Sequence, residues 1–261
     1  MRFTKGHGTE NDFVILPDPD GLLDLTPELV ARICDRRAGI GADGILRAVR
    51  AEEAEWFMDY RNADGSIAEM CGNGLRVFAR YLVDSGLAAP GEFQVLTRAG
   101  LRAVRLAGTG DVTVDLGAPV LLGESTADVA DRTYRGLRVS MGNPHLACQI
   151  TGSVADLDLG RAPGFSAGDF PEGVNVEFFA PVGDHHVTMR VHERGSGETR
   201  SCGTGAVAAA AAAAANSGSD PRSDPSEWIV DVLGGRVTVT FADNTGYLSG
   251  PAVLVADGEL R

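Results

Sequence analysis

The segment RGSGETRSCGTGAVAAAAAAAAN, from Arg194 to Asn216, decides the fold of this chain. A glycine-punctuated loop delivers Cys202 to the start of a run that holds nine alanines and one valine. Alanine is the best helix former, and a helix that is apolar on every side is normally buried. The segment therefore predicts a thiol at the N-terminus of a core helix, where the first backbone N–H groups have no partner within the helix.

The same pattern occurs a second time. Cys71-Gly72-Asn73-Gly74 precedes a helical pattern whose apolar residues Leu75, Phe78, Ala79 and Leu82 have the spacing of one buried face. Three pairs of matching residues are separated by nearly the same number of positions. Cys71 and Cys202 are 131 residues apart, Asn11 and Asn143 are 132 apart, and Asp43 and Asn175 are 132 apart. A shared offset predicts duplication of a domain of about 130 residues, with both cysteines facing a shared cleft.

Several strands and turns follow from local patterns. We expect Met1–Val14 to form two strands around a turn with Gly6 and Gly8, and with Asn11 in the connection. Thr26 and Pro27 are typical of a helix start, so a helix is predicted up to Cys34. Tyr134–Val139 reads as a strand, Met141–His145 as a turn, and Tyr247–Val255 as one last strand.

Composition excludes several classes of function. The net charge of −13 argues against nucleic acid or an anionic membrane as a partner. The start of the chain lacks the apolar region of a signal peptide, and the alanine run has about half the length that a bilayer crossing needs. We therefore expect a cytoplasmic protein with a small-molecule substrate.

Cofactor and metal chemistry are not predicted. Lys5 is the only lysine, and it lies in the first expected strand, so a pyridoxal phosphate enzyme would have no other residue for its Schiff base. The four cysteines form no CxxC pair, which leaves neither a zinc ribbon nor a thioredoxin-type motif. We expect free thiols, no cofactor and no metal. Cys34 and Cys148 are interpreted as buried structural thiols.

Two opposed thiols suit the inversion of a carbon centre. One thiolate removes a proton from one face, and the other thiol delivers a proton to the opposite face. A helix N-terminus lowers the pKa of a cysteine, so we expect a working thiolate near neutral pH. The N–H groups of Gly72, Asn73, Gly203 and Thr204 would bind a carboxylate and stabilise the charge that develops beside it. Racemisation or epimerisation next to a carboxylate uses every one of these parts.

The motifs that carry these residues resemble diaminopimelate epimerases, and they cover nearly the whole chain. They are GTENDF (8–13), RRAGIGADG (36–44), RNADGSIAEMCGNGLR (61–76), MGNPH (141–145), GVNVEFF (173–179) and HERGSGETRSCGTGA (192–206). The resemblance implies an α+β fold of two pseudo-twofold-related domains, each a curved, mostly antiparallel sheet around a central helix, with the active site in the cleft between them. The implied domains are 1–117 plus about 250–261, and 118–249.

The resemblance also implies the activity and the residues that perform it. The reaction is the interconversion of LL- and meso-diaminopimelate without a cofactor, for lysine and peptidoglycan synthesis, by a homodimer. Cys202 accepts the proton of the LL substrate and Cys71 donates, while His145 and Glu193 tune the thiols. Gly72, Asn73, Gly203 and Thr204 hold the reacting carboxylate. Glu193 is also implied to bind the α-ammonium group, and the rest of the substrate is bound by Asn11, Asn62, Asn143, Asn175 and Arg194.

The roles of the last set agree with the chemistry of the substrate. Diaminopimelate is an amino acid at both ends, so its non-reacting end needs its own recognition. Arg194 can bind a carboxylate with two hydrogen bonds, and asparagines offer both donors and acceptors. Gly44 departs from the family pattern, because many members carry glutamine there at the edge of the substrate.

Three alternatives stay open at the level of sequence. A proline or hydroxyproline racemase has the same architecture and paired cysteines, but its substrate has no second amino-acid end for Arg194 to bind. A redox-regulated dithiol protein would join Cys71 and Cys202 in a disulfide. A binding module could keep the fold without catalysis.

Overall fold

A computed structural model describes all residues from 1 to 261. The helices are α1 (Pro27–Cys34), α2 (Gly72–Asp84) and α3 (Gly203–Asn216). The strands, in chain order, are β1 (Arg2–Gly8), β2 (Asn11–Pro17), β3 (Gly44–Arg50), β4 (Trp56–Asn62), β5 (Gly91–Thr97), β6 (Gly100–Leu106), β7 (Val112–Asp115), β8 (Val120–Val129), β9 (Arg132–Ser140), β10 (Pro144–Gln149), β11 (Gly164–Phe165), β12 (Asn175–Gly183), β13 (His186–Glu193), β14 (Gly197–Thr199), β15 (Ser226–Val232), β16 (Gly235–Ala242), β17 (Thr245–Gly250) and β18 (Val253–Glu259).

The chain divides into two compact units. Unit 1 comprises Met1–Val114 and Gly250–Arg261, and unit 2 comprises Asp115–Ser249. Strands dominate both units, and each contains one long helix, α2 or α3. This confirms the predicted α+β class. No helix of the chain is both long enough and apolar enough to span a membrane.

The two units repeat one pattern of strand pairing. In unit 1 the strands pair in the order β18-β1-β2-β3-β4-β5-β6-β7, and only β2–β3 and β4–β5 are parallel. In unit 2 the order is β8-β9-β10-β12-β13-β15-β16-β17, and only β10–β12 and β13–β15 are parallel. The parallel pairs stand at the same places in both orders. A parallel pair needs a crossover connection, and α2 and α3 supply it between β4 and β5 and between β13 and β15.

The alanine-rich helix α3 forms the centre of unit 2. Its residues from Ala208 to Ala212 are fully buried, and the helix contacts β9, β10, β12, β13, β15 and β16. Small side chains let the surrounding strands come close to the helix. At Gly246 in β17, for example, a Cβ atom would lie only 2.9 Å from Val207 Cγ1. The alanine run is therefore matched by the packing around it.

Helix α2 is buried more completely than its sequence indicates. The pattern predicts one apolar face, yet every residue from Gly72 to Leu82 is buried, including Arg76 and Arg80. Arg80 donates to the carbonyl groups of Gly108 and Gly110. The prediction of one buried face was too narrow, because these arginines have partners inside the unit.

Other predictions of local structure need correction. The first hairpin turns at Thr9 and Glu10, whose φ angles are +49° and +62°. Asn11 is therefore the first residue of β2 rather than part of the connection. Strands β8 and β10 were not predicted. The last predicted strand is two strands, interrupted at Pro251-Ala252, because proline has no N–H for a strand ladder. After the interruption, β18 pairs antiparallel with β1.

The predicted helix at Thr26 is confirmed. The helix begins at Pro27 and ends at Cys34, and the Thr26 side chain accepts a hydrogen bond from Leu29 N. Its buried residues pack with β2 and β3 in one cluster of unit 1. Here a single N-cap signal in the sequence was sufficient, because the cap acts locally.

Candidate active site

Cys71 is the N-cap residue of α2. Its backbone is extended (φ −141°, ψ 121°), and its Sγ accepts a hydrogen bond from Gly74 N at 3.4 Å. The thiol therefore takes the place that Ser, Asp or Asn usually holds at a helix start. The Sγ atom lies 3.7 Å from Asn11 Oδ1. The sulfur is half-buried and stands directly at the positive end of the helix.

Asn73 and Asn11 connect Cys71 to a buried arginine. Asn73 Nδ2 donates to Asn11 Oδ1 at 3.2 Å, and Asn73 Oδ1 accepts from Arg76 Nη2 at 2.8 Å. Arg76 is fully buried, and burial lowers its pKa to about 10, while the charge of Cys71 acts in the opposite direction. Asn11 Nδ2 in turn donates to Asp43 Oδ2 at 2.7 Å. These predicted residues of unit 1 therefore form one connected group.

Asn62 and Gly44 face each other across β3 and β4. Asn62 Nδ2 donates to Ser66 Oγ at 3.0 Å, so this side chain bonds within the turn that follows β4. A Cβ atom on Gly44 would lie 2.5 Å from the carbonyl oxygen of Arg61. The strand pairing leaves no room for a larger residue at position 44, which gives a local reason for the departure from the family pattern.

Cys202 is the N-cap residue of α3 and matches Cys71 in its local geometry. Its backbone is extended (φ −124°, ψ 117°), and its Sγ accepts from Gly205 N at 3.4 Å. The Sγ atom is also 3.6 Å from Thr204 Oγ1. Cys202 is only 7% exposed.

The helix start is not the only influence on the pKa of Cys202. Burial raises the pKa of this thiol well above its usual value, and the nearby carboxyl groups of Glu193 and Glu177 raise it further. The hydrogen bonds from Thr204 and Gly205 lower it, but by less. The helix end was correctly located, but the carboxyl groups around it could not be seen in the local sequence.

A chain of polar side chains leads from Cys202 into the core of unit 2. Asn143 Nδ2 donates to Thr204 Oγ1 at 3.5 Å, and Asn143 Oδ1 lies 3.1 Å from His145 Nε2. His145 Nδ1 lies 2.7 Å from Glu177 Oε1, and both of these side chains are fully buried. The predicted residues Asn143 and His145 therefore connect to Cys202 through Thr204.

Glu193 acts on Cys202 from the end of β13, and its neighbour Arg194 contacts Asn175. Asn175 Nδ2 donates to the carbonyl of Pro144 at 3.0 Å, and its Oδ1 accepts from Arg194 N at 3.0 Å. Glu193 accepts a hydrogen bond from the hydroxyl of Thr199. The exposed Arg194 donates from Nη1 to the carbonyl of Glu172 at 3.2 Å. Asn175 thus joins two segments that carry predicted site residues.

Sequence reasoning missed Arg76 and Glu177. Both lie inside motifs that were quoted above, but neither was selected as a site residue. Glu177 stands in β12 between the buried apolar residues Val176 and Phe178. A carboxyl group in such a run is rarely buried without a partner. This contrast was the available signal for Glu177.

The remaining groups do not form a competing site. No three His, Cys, Asp or Glu side chains are placed so that they could hold a metal ion. Burial raises the pKa of Cys34 to about 11 and of Cys148 to about 12, and both are buried, as predicted. A cavity of about 650 Å³ in unit 1 and one of about 450 Å³ in unit 2 contain none of the predicted site residues.

Solved structures with this fold define the class of protein. The phenazine biosynthesis protein of the PhzF family from Bacillus anthracis has a TM-score of 0.74 at 17% identity, covering 100% of this chain and 99% of its own. A hydroxyproline epimerase from Agrobacterium vitis has a TM-score of 0.67 at 15% identity, covering 99% and 91%. The fold is therefore the two-unit fold that these proteins share.

The family within this class follows from closer sequence similarity. The family model described as diaminopimelate epimerase matches residues 3–122 and 137–255. The diaminopimelate epimerase of Thermobifida fusca is 54% identical over 275 residues, covering 100% of this chain and 98% of its own. That of Streptomyces coelicolor is 52% identical over 278 residues, covering 99% and 95%. The chain belongs to the diaminopimelate epimerase family and is an isomerase.

Proposed function

We propose that the protein interconverts LL-diaminopimelate and meso-diaminopimelate by inverting one α-carbon with two thiols. The observation that carries this proposal is the repeated helix start. In each unit the long buried helix begins at a cysteine whose sulfur accepts a hydrogen bond from the third N–H of that helix. A single capping cysteine is unremarkable, but two in duplicated units of this family favour a two-base reaction.

In the proposed reaction the two thiols exchange roles. The Cys202 thiolate removes the α-proton of the LL substrate, so an S–H bond forms while a C–H bond breaks. The electron pair of that bond is delocalised into the adjacent carboxylate. The Cys71 thiol then gives its proton to the opposite face of the carbon. The meso product leaves behind a Cys71 thiolate and a Cys202 thiol, which are the starting groups of the reverse reaction.

The helix starts supply the electrostatic part of the proposal. An α-helix provides no internal partner for its first N–H groups. The sulfur accepts from Gly74 N in α2 and from Gly205 N in α3. We propose that the N–H groups of Gly72 and Asn73, and those of Gly203 and Thr204, donate to the reacting carboxylate. Such donors stabilise the negative charge that develops when the α-carbon is deprotonated.

Glu193 and the substrate together explain how Cys202 can work as a base. Its pKa is raised in the absence of a substrate by burial and by two carboxyl groups. The α-ammonium group of diaminopimelate brings a positive charge that Glu193 can bind, and that charge would favour the thiolate. We propose that the Cys202 thiolate forms together with substrate binding, and that His145 tunes it through Asn143.

The remaining predicted residues are proposed to bind the distal end of the substrate. Arg194 is exposed and can take a carboxylate with two parallel hydrogen bonds. Asn175 uses one N–H group and one acceptor position to hold its neighbours, and an asparagine has one more of each for a ligand. Asn11 and Asn62 in unit 1 and Asn143 in unit 2 complete the proposed set.

We further propose that residues 1–117 with about 250–261, and residues 118–249, act as two epimerase domains, the first carrying Cys71 and the second Cys202. The enzyme is expected to work in the cytoplasm, where free thiols persist, and as a homodimer. Light scattering after gel filtration measures the oligomeric state directly. A monomer at working concentration would contradict the dimer without affecting the two-thiol reaction.

The reaction is tested by incubating the enzyme with LL-diaminopimelate in deuterated water. We expect meso product with deuterium at one α-carbon, and no turnover of L-proline or hydroxyproline. Cys71→Ala and Cys202→Ala should each lower the rate of epimerisation by at least about a thousandfold, since each removes a thiol that accepts or donates the α-proton. Cys34→Ala is the matched control, because Cys34 is a buried thiol of unit 1 outside the site. Wild-type rates in Cys202→Ala would refute the assigned base.

A further inference from the structure

Glu177 and His145 form a buried pair in unit 2 that the proposed reaction does not explain. They lie on the adjacent parallel strands β12 and β10. Both side chains are fully buried, with His145 Nδ1 at 2.7 Å from Glu177 Oε1. Glu177 Oε2 has no hydrogen-bond partner. A permanently ionised carboxylate with one unpartnered oxygen is costly in such a place, which favours a protonated Glu177 for part of the time.

The pair is connected to Cys202 by a chain with a defined direction. Asn143 donates from Nδ2 to Thr204 Oγ1, so its Oδ1 faces His145 Nε2. An amide oxygen only accepts, and therefore His145 Nε2 carries a hydrogen. Thr204 accepts from Asn143 and can turn its own hydroxyl hydrogen to the Cys202 sulfur, 3.6 Å away. Every donor of the chain can thus point towards the sulfur.

This direction leaves one proton to be located. With a hydrogen fixed on His145 Nε2, the 2.7 Å contact between Nδ1 and Glu177 Oε1 holds one further proton. On Oε1 it makes a neutral acid beside a neutral imidazole. On Nδ1 it makes a carboxylate beside an imidazolium, whose positive charge lies on the side of the chain that leads to Cys202.

We propose that Glu177 is a positioning residue whose proton follows the charge of Cys202. The proton resides on Glu177 while Cys202 is a thiol, and it moves to His145 Nδ1 when Cys202 becomes a thiolate. One O–H bond breaks and one N–H bond forms, so no proton enters or leaves the pair. The resulting imidazolium polarises Asn143 and Thr204, and their hydrogen bonds to the thiolate become stronger. The proposal rests on the proposed role of Cys202 as a base.

The charges around the pair favour this response. Burial, with a smaller contribution from Glu193, raises the pKa of Glu177 to about 7, while His145 lowers it. Cys148 on β10 also faces Glu177, and burial keeps that thiol protonated. Glu193 on β13 and Glu177 itself face Cys202. An unbalanced negative charge on Glu177 would therefore oppose the thiolate, whereas the ion pair that Glu177 forms with a protonated His145 carries no net charge.

The pair exists in one unit only. The offset of 132 residues that relates Asn143 to Asn11 places Phe13 and Ile45 at the positions of His145 and Glu177. Both of these residues are fully buried and apolar. Cys71 therefore has no counterpart of the pair, and it serves as an internal control for Cys202.

The first test is the pH dependence of iodoacetamide alkylation at Cys202 and Cys71, measured by mass spectrometry without substrate. Glu177→Gln keeps the shape of the side chain but cannot release a proton to His145. We expect the apparent pKa of Cys202 to rise by about one unit, which lowers its alkylation about tenfold at a pH below that pKa, while Cys71 is unchanged. A lower or unchanged pKa of Cys202 would mean that Glu177 is a fixed anion or has no influence, and would overturn the proposal.

Glu193→Gln is the matched control variant. It removes a carboxyl group that faces Cys202 and accepts a hydrogen bond from Thr199, so the apparent pKa of Cys202 should fall. Opposite shifts in the two variants are expected only if the Glu177 proton is mobile. Equal signs would contradict the mobile proton, since both glutamates would then act as simple anions.

A measurement on the wild-type enzyme keeps the test independent of how the variants fold. Nitrogen-15 NMR of labelled histidines reports the protonation of each imidazole ring. His145 should gain a proton as the pH rises through the titration of Cys202, whereas an ordinary histidine only loses one. Loss of a proton from His145 over that range would refute the proposal. Neither test contains diaminopimelate, so both can be interpreted even if the protein does not catalyse the proposed reaction.

Discussion

The first turn of α3 offers a perturbation whose effect can be worked out from distances. Gly205 is the residue whose N–H bonds to the Cys202 sulfur. A Cβ atom at this position would lie 2.7 Å from Glu177 Oε1 and 3.2 Å from both Cβ and Sγ of Cys202. The substitution Gly205→Ala therefore adds one methyl group between the reactive sulfur and the buried carboxyl group.

The cost follows from what must move. Ordinary contact requires about 3.5 Å, so Oε1 has to retreat from 2.7 Å by roughly 0.8 Å or more. Oε1 is held by His145, and moving it away lengthens that 2.7 Å hydrogen bond beyond the usual range of about 2.7–3.2 Å. Overpacking costs about 1–3 kcal/mol and a disrupted buried hydrogen bond about as much. The better helix propensity of alanine offsets up to about 1 kcal/mol, which leaves a loss of about 1–5 kcal/mol, with a central value of about 3 kcal/mol.

Calorimetry and kinetics measure this effect against a matched variant. Gly74→Ala makes the same change in α2, where the nearest atoms to the new Cβ are Leu46 Cδ2 at 3.2 Å and Phe13 Cζ at 3.4 Å. Both are ends of side chains that can adjust. We expect Gly205→Ala to lower Tm by roughly 5–10 °C and kcat/KM by about a hundredfold, and Gly74→Ala to stay within about 1 kcal/mol of the wild type. Equal Tm and activity in the two variants would refute the reasoning.

Two further predictions concern unit 1. Asp59 is buried and accepts hydrogen bonds from Arg61 and Arg98, and its pKa is lowered, since these bonds outweigh the burial that raises it. Asp59→Asn should cost about 3–5 kcal/mol at neutral pH. Because the pKa of Asp59 is depressed in the folded state, the stability difference between wild type and Asp59→Asn should shrink as the pH falls below the ordinary value of about 3.9 and through the folded-state pKa. Urea titrations at several pH values measure this difference. A difference that stays constant with pH would contradict the prediction. Gly44→Gln should destabilise by at least about 2 kcal/mol, since its Cβ meets the Arg61 carbonyl; an unchanged urea midpoint would show that the β3–β4 pairing adapts.

Much of the fold could be predicted from the sequence, because its signals are local. Thr26 caps α1 in the way that a threonine before Pro27 predicts. Cys71 and Cys202 were placed at helix starts by the glycines that follow each of them, and both are N-cap residues. The constant offset between matching positions predicted a duplication, and the repeated order of strand pairing agrees with it.

The errors arose where the structure depends on distant residues. Strand β10 was read as the end of a turn, since Pro144 is a turn signal, but pairing with β12 extends the segment into a strand. Strands β17 and β18 were read as one, although Pro251 stood between them as a visible signal. The turn at Thr9 and Glu10 contains no glycine, so local chemistry did not indicate it.

The sequence by itself determined the helix starts, the duplication and the family, because each of these depends on neighbours along the chain. Only the tertiary structure decided which charged groups face Cys202. Cys202 is surrounded by carboxyl groups from β12 and β13, so its pKa rises despite the helix end behind it. Electrostatic energy depends on distance in space and on burial. For Glu177, which lies 25 residues before Cys202 in the chain, neither can be read from its position in the sequence.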